Sequence, residues 1–267
     1  MISVVKMHGT HNEFVLIDER PPHVGSYPEL AKTLCDRTEG LGADGLLVVG
    51  DAPGFAAEMR IFNADGSEAE MCGNGVRCVA RYLAGRGAGD RFVISTLAGP
   101  IETAIVTEAP EYLIRVDMGA PALPNGTVTQ TITAAGQTWR YLAVSLGNPH
   151  VVIFVDDVDA VDLTRTGREL ATDARFSGGT NVHFAQVLDP HDLRVVHYER
   201  GVGPTQSCGT GAVACAAAAV VAKRAHSPVS VRVPGGVLEI EWEPGKHAFM
   251  TGPAVTVFER AIEHRVM

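Results

Sequence analysis

Two cysteines stand where a thiol can serve as a base. Cys72 opens Cys72-Gly73-Asn74-Gly75 and Cys208 opens Cys208-Gly209-Thr210-Gly211, each followed by an apolar run that reads as a helix. The first amides of a helix have no intrahelical acceptor, and the helix dipole places about half a positive charge there. Glycine at these positions lets a ligand approach the backbone. Each copy therefore predicts a cradle for a carboxylate or phosphate, beside a cysteine whose thiolate the same field favours.

One such cysteine would more often be a packed small residue than a base. Two at matched positions suit a specific reaction. Inverting a carbon that bears hydrogen requires a proton to leave one face and another to arrive on the opposite face. A thiolate and a thiol on opposite sides do both, and the cradle donors stabilise a carboxylate as charge spreads into it. General acid–base transfer supplies roughly 10²–10⁴-fold; the remainder is expected from those donors and from exclusion of water on closure. Thiols facing each other across one carbon are also expected to join as a disulfide on oxidation.

The elements that must position these residues come in two rounds. Strands are expected at Ile2 to Val5, Phe14 to Ile17, Leu46 to Val49 and Ala57 to Phe62, then a helix from Gly73 to Arg86, then strands at Phe92 to Thr96, Ile101 to Val106 and Tyr112 to Asp117. The second round runs Leu142 to Leu146, Val151 to Val155, Val182 to Ala185 and Leu193 to Tyr198, a helix from Cys208 to Ala225, then Val229 to Val233 and Val237 to Trp242. Shorter helices are expected at Pro28 to Asp36 and Thr166 to Ala174. Asn12 and Asn148, Gly42 and Gly178, Asn63 and Glu199, Cys72 and Cys208, and Gly99 and Gly235 are each 136 residues apart. A constant offset across ordered landmarks indicates an internal duplication of two long units rather than a solenoid. The second cysteine helix is nearly free of charge and reads as buried on all sides, which suggests a sheet wrapped around it. The first carries Arg77 and Arg81 and is expected to open on one side. The fold class expected is α+β, in two pseudo-symmetric lobes. The first lobe would span residues 1–118 and the second 119–253.

Composition narrows the partners. A net charge of −9 over 267 residues argues against nucleic acid and anionic membrane surfaces. The five cysteines are odd in number and form no Cys-x-x-Cys pair, so a disulfide framework is not expected. No apolar stretch is long enough for a membrane helix, and Met1 to His8 lacks the pattern of a signal peptide. A cytoplasmic protein with reduced thiols is expected. His8 and His11 have no third ligand beside them, so no metal is expected. The glycine loops lack a nucleotide P-loop ending, and none of the four lysines sits in a pyridoxal phosphate setting. Cys35, Cys78 and Cys215 read as core. Asn12, Asn63, Asn148 and Asn181 lie beside loops, where Asn commonly serves the turn itself.

At these residues the chain resembles the diaminopimelate epimerases, cofactor-independent enzymes of lysine biosynthesis. The resemblance rests on Lys6-Met7-His8-Gly9 with Asn12, Gly42-Ala43-Asp44-Gly45, Phe62 to Ser67, Cys72 to Cys78, Gly147-Asn148-Pro149-His150, Tyr198-Glu199-Arg200-Gly201 and Cys208 to Gly211. The cysteine motif alone would also fit proline racemases. The resemblance implies a homodimer, each lobe a mixed sheet around a central helix with residues 254–267 returning to complete the first lobe, and interconversion of LL- and meso-2,6-diaminopimelate. It implies Cys72 and Cys208 as the catalytic thiols, and Gly73, Asn74, Gly209 and Thr210 as the cradle for the reacting carboxylate. It implies that His150 and Glu199 support the thiols and hold the reacting amino group. Asn12, Asn63, Asn148, Asn181 and Arg200 would fix the rest of the substrate; a guanidinium is well matched to a distal carboxylate.

Three positions depart from the family pattern. Thr10 and His11 stand where Leu-Gly is common, and Pro204 stands where Glu is common. A racemase for another polar amino acid therefore stays open, as does a non-catalytic binder of anions, although anion binding needs no thiol.

Overall fold

Runs such as Leu46 to Val49 and Val151 to Ile153 are apolar at every residue, the pattern of strands covered on both faces. The computed structural model describes residues 1–20, 25–108 and 111–263 of the chain. It divides into two compact units, one of Met1–Val116 with Gly252–Met267, the other Asp117–Thr251.

The first unit contains β1 (Ile2–Gly9), β2 (Asn12–Asp18), α1 (Tyr27–Cys35), β3 (Gly45–Gly50), β4 (Ala57–Asn63), β5 (Glu68–Ala69), α2 (Gly73–Ala84), β6 (Arg91–Thr96), β7 (Gly99–Thr107) and β8 (Leu113–Asp117). Strands β1, β2, β3, β4, β6, β7 and β8 pair in that order, with β2–β3 and β4–β6 parallel and the others antiparallel. Helix α2 packs against β1, β2, β3, β4, β6 and β7, so the sheet curls around it; α1 packs against β2, β3 and β4. Leu30, Ala31 and Leu34 of α1 join Val15, Leu46, Val48 and Phe62 in one buried cluster.

The second unit repeats the plan with β9 (Gln130–Ala134), β10 (Gln137–Ser145), β11 (Pro149–Phe154), α3 (Leu163–Ala171), β12 (Asn181–Asp189), β13 (Asp192–Glu199), β14 (Gly203–Thr205), α4 (Gly209–Val221), β15 (Val229–Val233), β16 (Gly236–Glu241) and β17 (Phe249–Pro253). The order is β9, β10, β11, β12, β13, β15, β16, β17, again with parallel pairs β11–β12 and β13–β15. Helix α4 touches β10, β11, β12, β13, β15 and β16, the counterparts of the six strands around α2. Ala212 to Ala219 are buried without exception, and their small side chains let strands approach from every direction. The expected mixed sheet around a central helix is present in each unit.

The sequence reading places no strand at two segments with a common role, although it expects residues 254–267 to complete the first lobe. β18 (Val255–Ile262) follows β17 and pairs antiparallel with β1, from Ile2↔Ile262 to His8↔Val255. β9, which follows β8, pairs in the same sense with β10. Each half of the chain thus ends in a strand that completes the sheet of the other unit.

The expectation that Arg77 and Arg81 open one side of α2 is not met. Arg77 is fully buried. Its Nε donates to the Pro253 carbonyl at 3.1 Å and its Nη2 to Thr10 Oγ1 at 3.0 Å, while Arg81 Nε donates to Thr256 Oγ1 at 3.1 Å. The two guanidiniums tie the helix to β18 and to the β1–β2 turn. Burial lowers the Arg77 pKa to about 10. Arg77→Leu would strand the acceptors it serves, at about 1–3 kcal/mol for a buried unsatisfied group. The expected result is a loss of about 2–4 kcal/mol in urea unfolding, with the far-ultraviolet spectrum kept; an unchanged urea midpoint would refute this anchoring role.

Candidate active site

Both cysteines are the N-cap residues of the central helices. Cys72 precedes α2 with φ −142° and ψ 116°, and Cys208 precedes α4 with φ −124° and ψ 109°. Each sulfur therefore lies at the positive end of a helix. The backbone N–H groups of Gly73 and Asn74, and of Gly209 and Thr210, belong to the first turns, where helix geometry supplies no acceptor.

The surroundings of the two sulfurs differ. In the first unit the Cys72 thiol donates to Asn12 Oδ1 at 3.8 Å, and Asn74 Nδ2 donates to the same oxygen at 3.2 Å. The Asn12 amide is held the other way by Asp44, whose Oδ2 accepts from Asn12 Nδ2 at 2.9 Å and from the Glu13 N–H at 2.8 Å. A carboxylate only accepts, so Asp44 fixes the Asn12 carbonyl toward the thiol. Arg37 pairs with Asp44 at 2.8 Å, and Lys6 reaches Glu13 and the Gly42 carbonyl. These contacts show what the Gly42 to Gly45 loop does: it delivers Asp44. Asn63 is exposed and donates to Ser67 Oγ at 2.9 Å.

In the second unit Cys208 is buried, and its sulfur accepts from the Gly211 N–H at 3.3 Å. Thr210 Oγ1 lies 3.6 Å from the sulfur, and Asn148 Nδ2 donates to that hydroxyl at 3.4 Å. Burial first, and then the neighbouring Glu199 carboxylate that accepts the thiol proton, push the Cys208 thiol well up; Thr210 and the Gly211 amide pull the other way. The helix mouth alone predicts a thiolate. At Cys208 burial, and after it the Glu199 carboxylate, oppose that effect and favour the protonated thiol.

Asn181 donates to the Pro149 carbonyl at 3.1 Å and accepts from the Arg200 backbone N–H at 3.0 Å. It braces the segments that present Asn148, His150 and Arg200. Arg200 is exposed, its Nη1 donating to the Gly178 carbonyl at 3.1 Å. Thr10 and His11 form the β1–β2 turn with φ of 50° and 58°, conformations that suit glycine. Here the Arg77 bond holds Thr10, and a stack of His11 on His8 at 4.8 Å holds the other. Pro204 is exposed on β14, opposite Tyr198.

The structure also corrects the reading of the second glycine in each motif. A Cβ on Gly211 would lie 2.5 Å from His183 Cε1, and one on Gly75 would lie 2.9 Å from Leu47 Cδ2. These glycines admit the sheet, not a ligand. Cys35, Cys78 and Cys215 are buried as expected, and burial pushes the Cys35 and Cys78 thiols up to about 12. They are thiols at neutral pH. Among the described residues no cluster suited to a metal occurs, and no helix is long and apolar enough to cross a membrane.

Two residues beside the site were missed by the sequence reading. His150 Nε2 meets Asn148 Oδ1 at 2.8 Å, its Nδ1 meets His183 Nε2 at 2.8 Å, and His183 Nδ1 meets His197 Nδ1 at 2.8 Å. All three rings are buried. Burial lowers His150 and His197 from 6.5 to about 3, and lowers His183 strongly. Folding therefore excludes protons that the unfolded chain takes up. The stability from this source is complete above pH 6.5 and is lost as pH falls toward about 3. Each ring contributes a slope of up to about 1.4 kcal/mol per pH unit. Replacing His183 with Leu and His197 with Ile should flatten that slope in urea titrations; parallel curves for variant and wild type would contradict it.

The sequence profile described as diaminopimelate epimerase matches residues 4–124 and 142–257. The diaminopimelate epimerase of Moorella thermoacetica is 45% identical, covering 95% of this chain and 96% of that protein. The Pelotomaculum thermopropionicum enzyme is 43% identical over 97% and 98%. Among solved structures, a PhzF-family phenazine biosynthesis protein of Bacillus anthracis shares the fold at a TM-score of 0.75 and 17% identity, covering 98% of this chain and 99% of that one. A probable proline racemase of Agrobacterium radiobacter does so at 0.75 and 16%, over 98% and 93%. The fold is thus shared with several proteins under other names, while identity over nearly the whole length is shared with one family: the chain belongs to the diaminopimelate epimerases.

Proposed function

We propose that this amino-acid epimerase interconverts LL- and meso-2,6-diaminopimelate without a cofactor, with Cys72 and Cys208 as its base and acid. The observation that carries this reading is the placement of both thiols as N-caps at duplicated positions. The thiolate takes the α-proton and becomes a thiol. The electron pair left on carbon spreads into the carboxylate, held by the N–H groups of Gly73 and Asn74 and of Gly209 and Thr210. The second thiol gives its proton to the opposite face and becomes the thiolate. The enzyme ends with the two protonation states exchanged, and solvent resets them.

Glu199 gives the cycle an order. After burial, its carboxylate is the largest influence that favours the protonated Cys208 thiol. A substrate ammonium drawn to Glu199 would neutralise that charge and ease deprotonation. Asn12, Asn63, Asn148, Asn181 and Arg200 would hold the remainder of the substrate, Arg200 taking the distal carboxylate. We place the enzyme in the cytoplasm, in lysine and peptidoglycan precursor synthesis, as a homodimer. Five cysteines, odd in number and without a Cys-x-x-Cys pair, fit that compartment, and light scattering tests the dimer.

Chiral chromatography of purified protein with LL-diaminopimelate and a panel of free amino acids tests the substrate. Conversion confined to diaminopimelate is expected. Turnover of another polar amino acid, with diaminopimelate untouched, would transfer the assignment to a related racemase and give Thr10, His11 and Pro204 a part in specificity.

A further inference from the structure

The duplication supplies an internal control for the buried histidines. His150, His183 and His197 lie 136 residues after Phe14, Leu47 and Ile61. The pairings agree: His183 faces His197 across β12–β13 as Leu47 faces Ile61 across β3–β4. Phe14, Leu47 and Ile61 are all buried core residues. The fold is therefore satisfied by three apolar side chains at these places, and burying imidazoles instead is costly unless they are hydrogen-bonded. The chain carries that cost in one unit only, beside Cys208.

The direction of the hydrogen bonds follows from the far end. His197 Nε2 is buried with no partner among the described residues, and so is Oγ1 of Thr205, the residue opposite it on β14. A stranded buried N–H is rarer than an under-used acceptor. The His197 proton is then on Nδ1, donating to His183 Nδ1. A neutral His183 carries its proton on Nε2 and donates to His150 Nδ1. His150 in turn donates from Nε2 to Asn148 Oδ1. That orients the Asn148 amide to donate to Thr210, which leaves the Thr210 hydroxyl proton directed at the Cys208 sulfur.

We propose that His183 and His197 are positioning residues that set the direction of this hydrogen-bond chain, so that every member donates toward Cys208 and its thiolate is met by the Thr210 hydroxyl. The proposal rests on the reading of Cys208 as an acid–base group, but the chain itself can be tested without substrate. Reversed, the same chain would turn the Asn148 carbonyl toward Thr210 and draw the hydroxyl proton away from the sulfur.

The test is proton–nitrogen correlation NMR on histidine-labelled protein, with thiolate ultraviolet absorbance measured at one pH in a Cys72→Ala background. The expected tautomers are Nε2–H for His150 and His183 and Nδ1–H for His197. His197→Ile, which installs the residue the first unit uses, should keep the fold, release the His150 tautomer and lower the Cys208 thiolate-to-thiol ratio by about 3–10-fold, the worth of one hydrogen bond. His197→Asn keeps a donor near the Nδ1 position and should restore both signals. Opposite tautomers, an unchanged thiolate ratio in His197→Ile, or Asn and Ile variants that behave alike would overturn the proposal. Correct tautomers in a protein that turns over no amino acid would instead refute the proposed function and leave the chain intact.

Discussion

Cys72→Ala and Cys208→Ala each lower kcat/KM for diaminopimelate epimerisation by about 10³-fold or more, within the range of a lost acid–base group, and the double variant is no worse than either single one. Inversion needs both groups in one turnover, so losing either removes the same pathway, and residues that act as a unit give non-additive losses. Stability should change little at Cys72, which is partly exposed, and more at Cys208, which is buried. Denaturation curves on the same samples separate that effect from catalysis. Cys35→Ala, in the cluster beneath α1, serves as a control that costs stability without removing a base. A Cys72 or Cys208 variant keeping a tenth of wild-type activity would show that its thiol is not the base.

Gly211→Ala should be nearly as damaging for a different reason. Its Cβ would sit 2.5 Å from the His183 ring, whose Nδ1 and Nε2 are both already engaged. Either the ring moves and breaks the chain to Asn148, or the first turn of α4 moves and carries the Gly211 N–H away from Cys208. Overpacking of this kind costs about 1–3 kcal/mol, and a shift of about 1 Å at the reacting groups can cost about 10²-fold in rate. Gly75→Ala is the matched comparison. Its Cβ is crowded by the methyl end of Leu47 at 2.9 Å, with Cys72 Cβ at 3.6 Å and Ile61 Cδ1 at 3.8 Å in ordinary contact; the Leu47 tip can rotate, so kcat/KM should fall less. Equal losses at the two glycines would argue that both serve ligand approach, as the motif alone suggests.

That contrast marks where sequence reasoning stops. The repeat was legible because Cys, Gly and Asn recur at one spacing, and such residues resist substitution where a turn or cap needs them. The apolar runs of β3 and β11 and the alanine run of α4 were legible because burial on both faces leaves no polar position. The strand β18 had no pattern of its own, because Val255 and Val257 are exposed and its partner β1 lies at the other end of the chain, so only the resemblance placed residues 254–267 with the first lobe. Arg77 was misread because a charge on a helix ordinarily faces water, whereas here the acceptors come from Thr10 and Pro253, far away in sequence. His183 and His197 look like unremarkable strand residues when read singly. The signal that could have found them was in the duplication: at equivalent positions one half has Leu47 and Ile61 and the other has imidazoles.

The most direct measurement is the fate of hydrogen at the α-carbon. LL-diaminopimelate is incubated with the purified, reduced protein in heavy water, and product and residual substrate are separated at early turnover. A two-thiol mechanism places solvent deuterium on the α-carbon of the meso product while residual LL substrate stays unlabelled, and Cys72→Ala and Cys208→Ala form no labelled product. Meso product that retains the substrate hydrogen, or labelled product from either alanine variant at an undiminished rate, would contradict the assignment of these two cysteines.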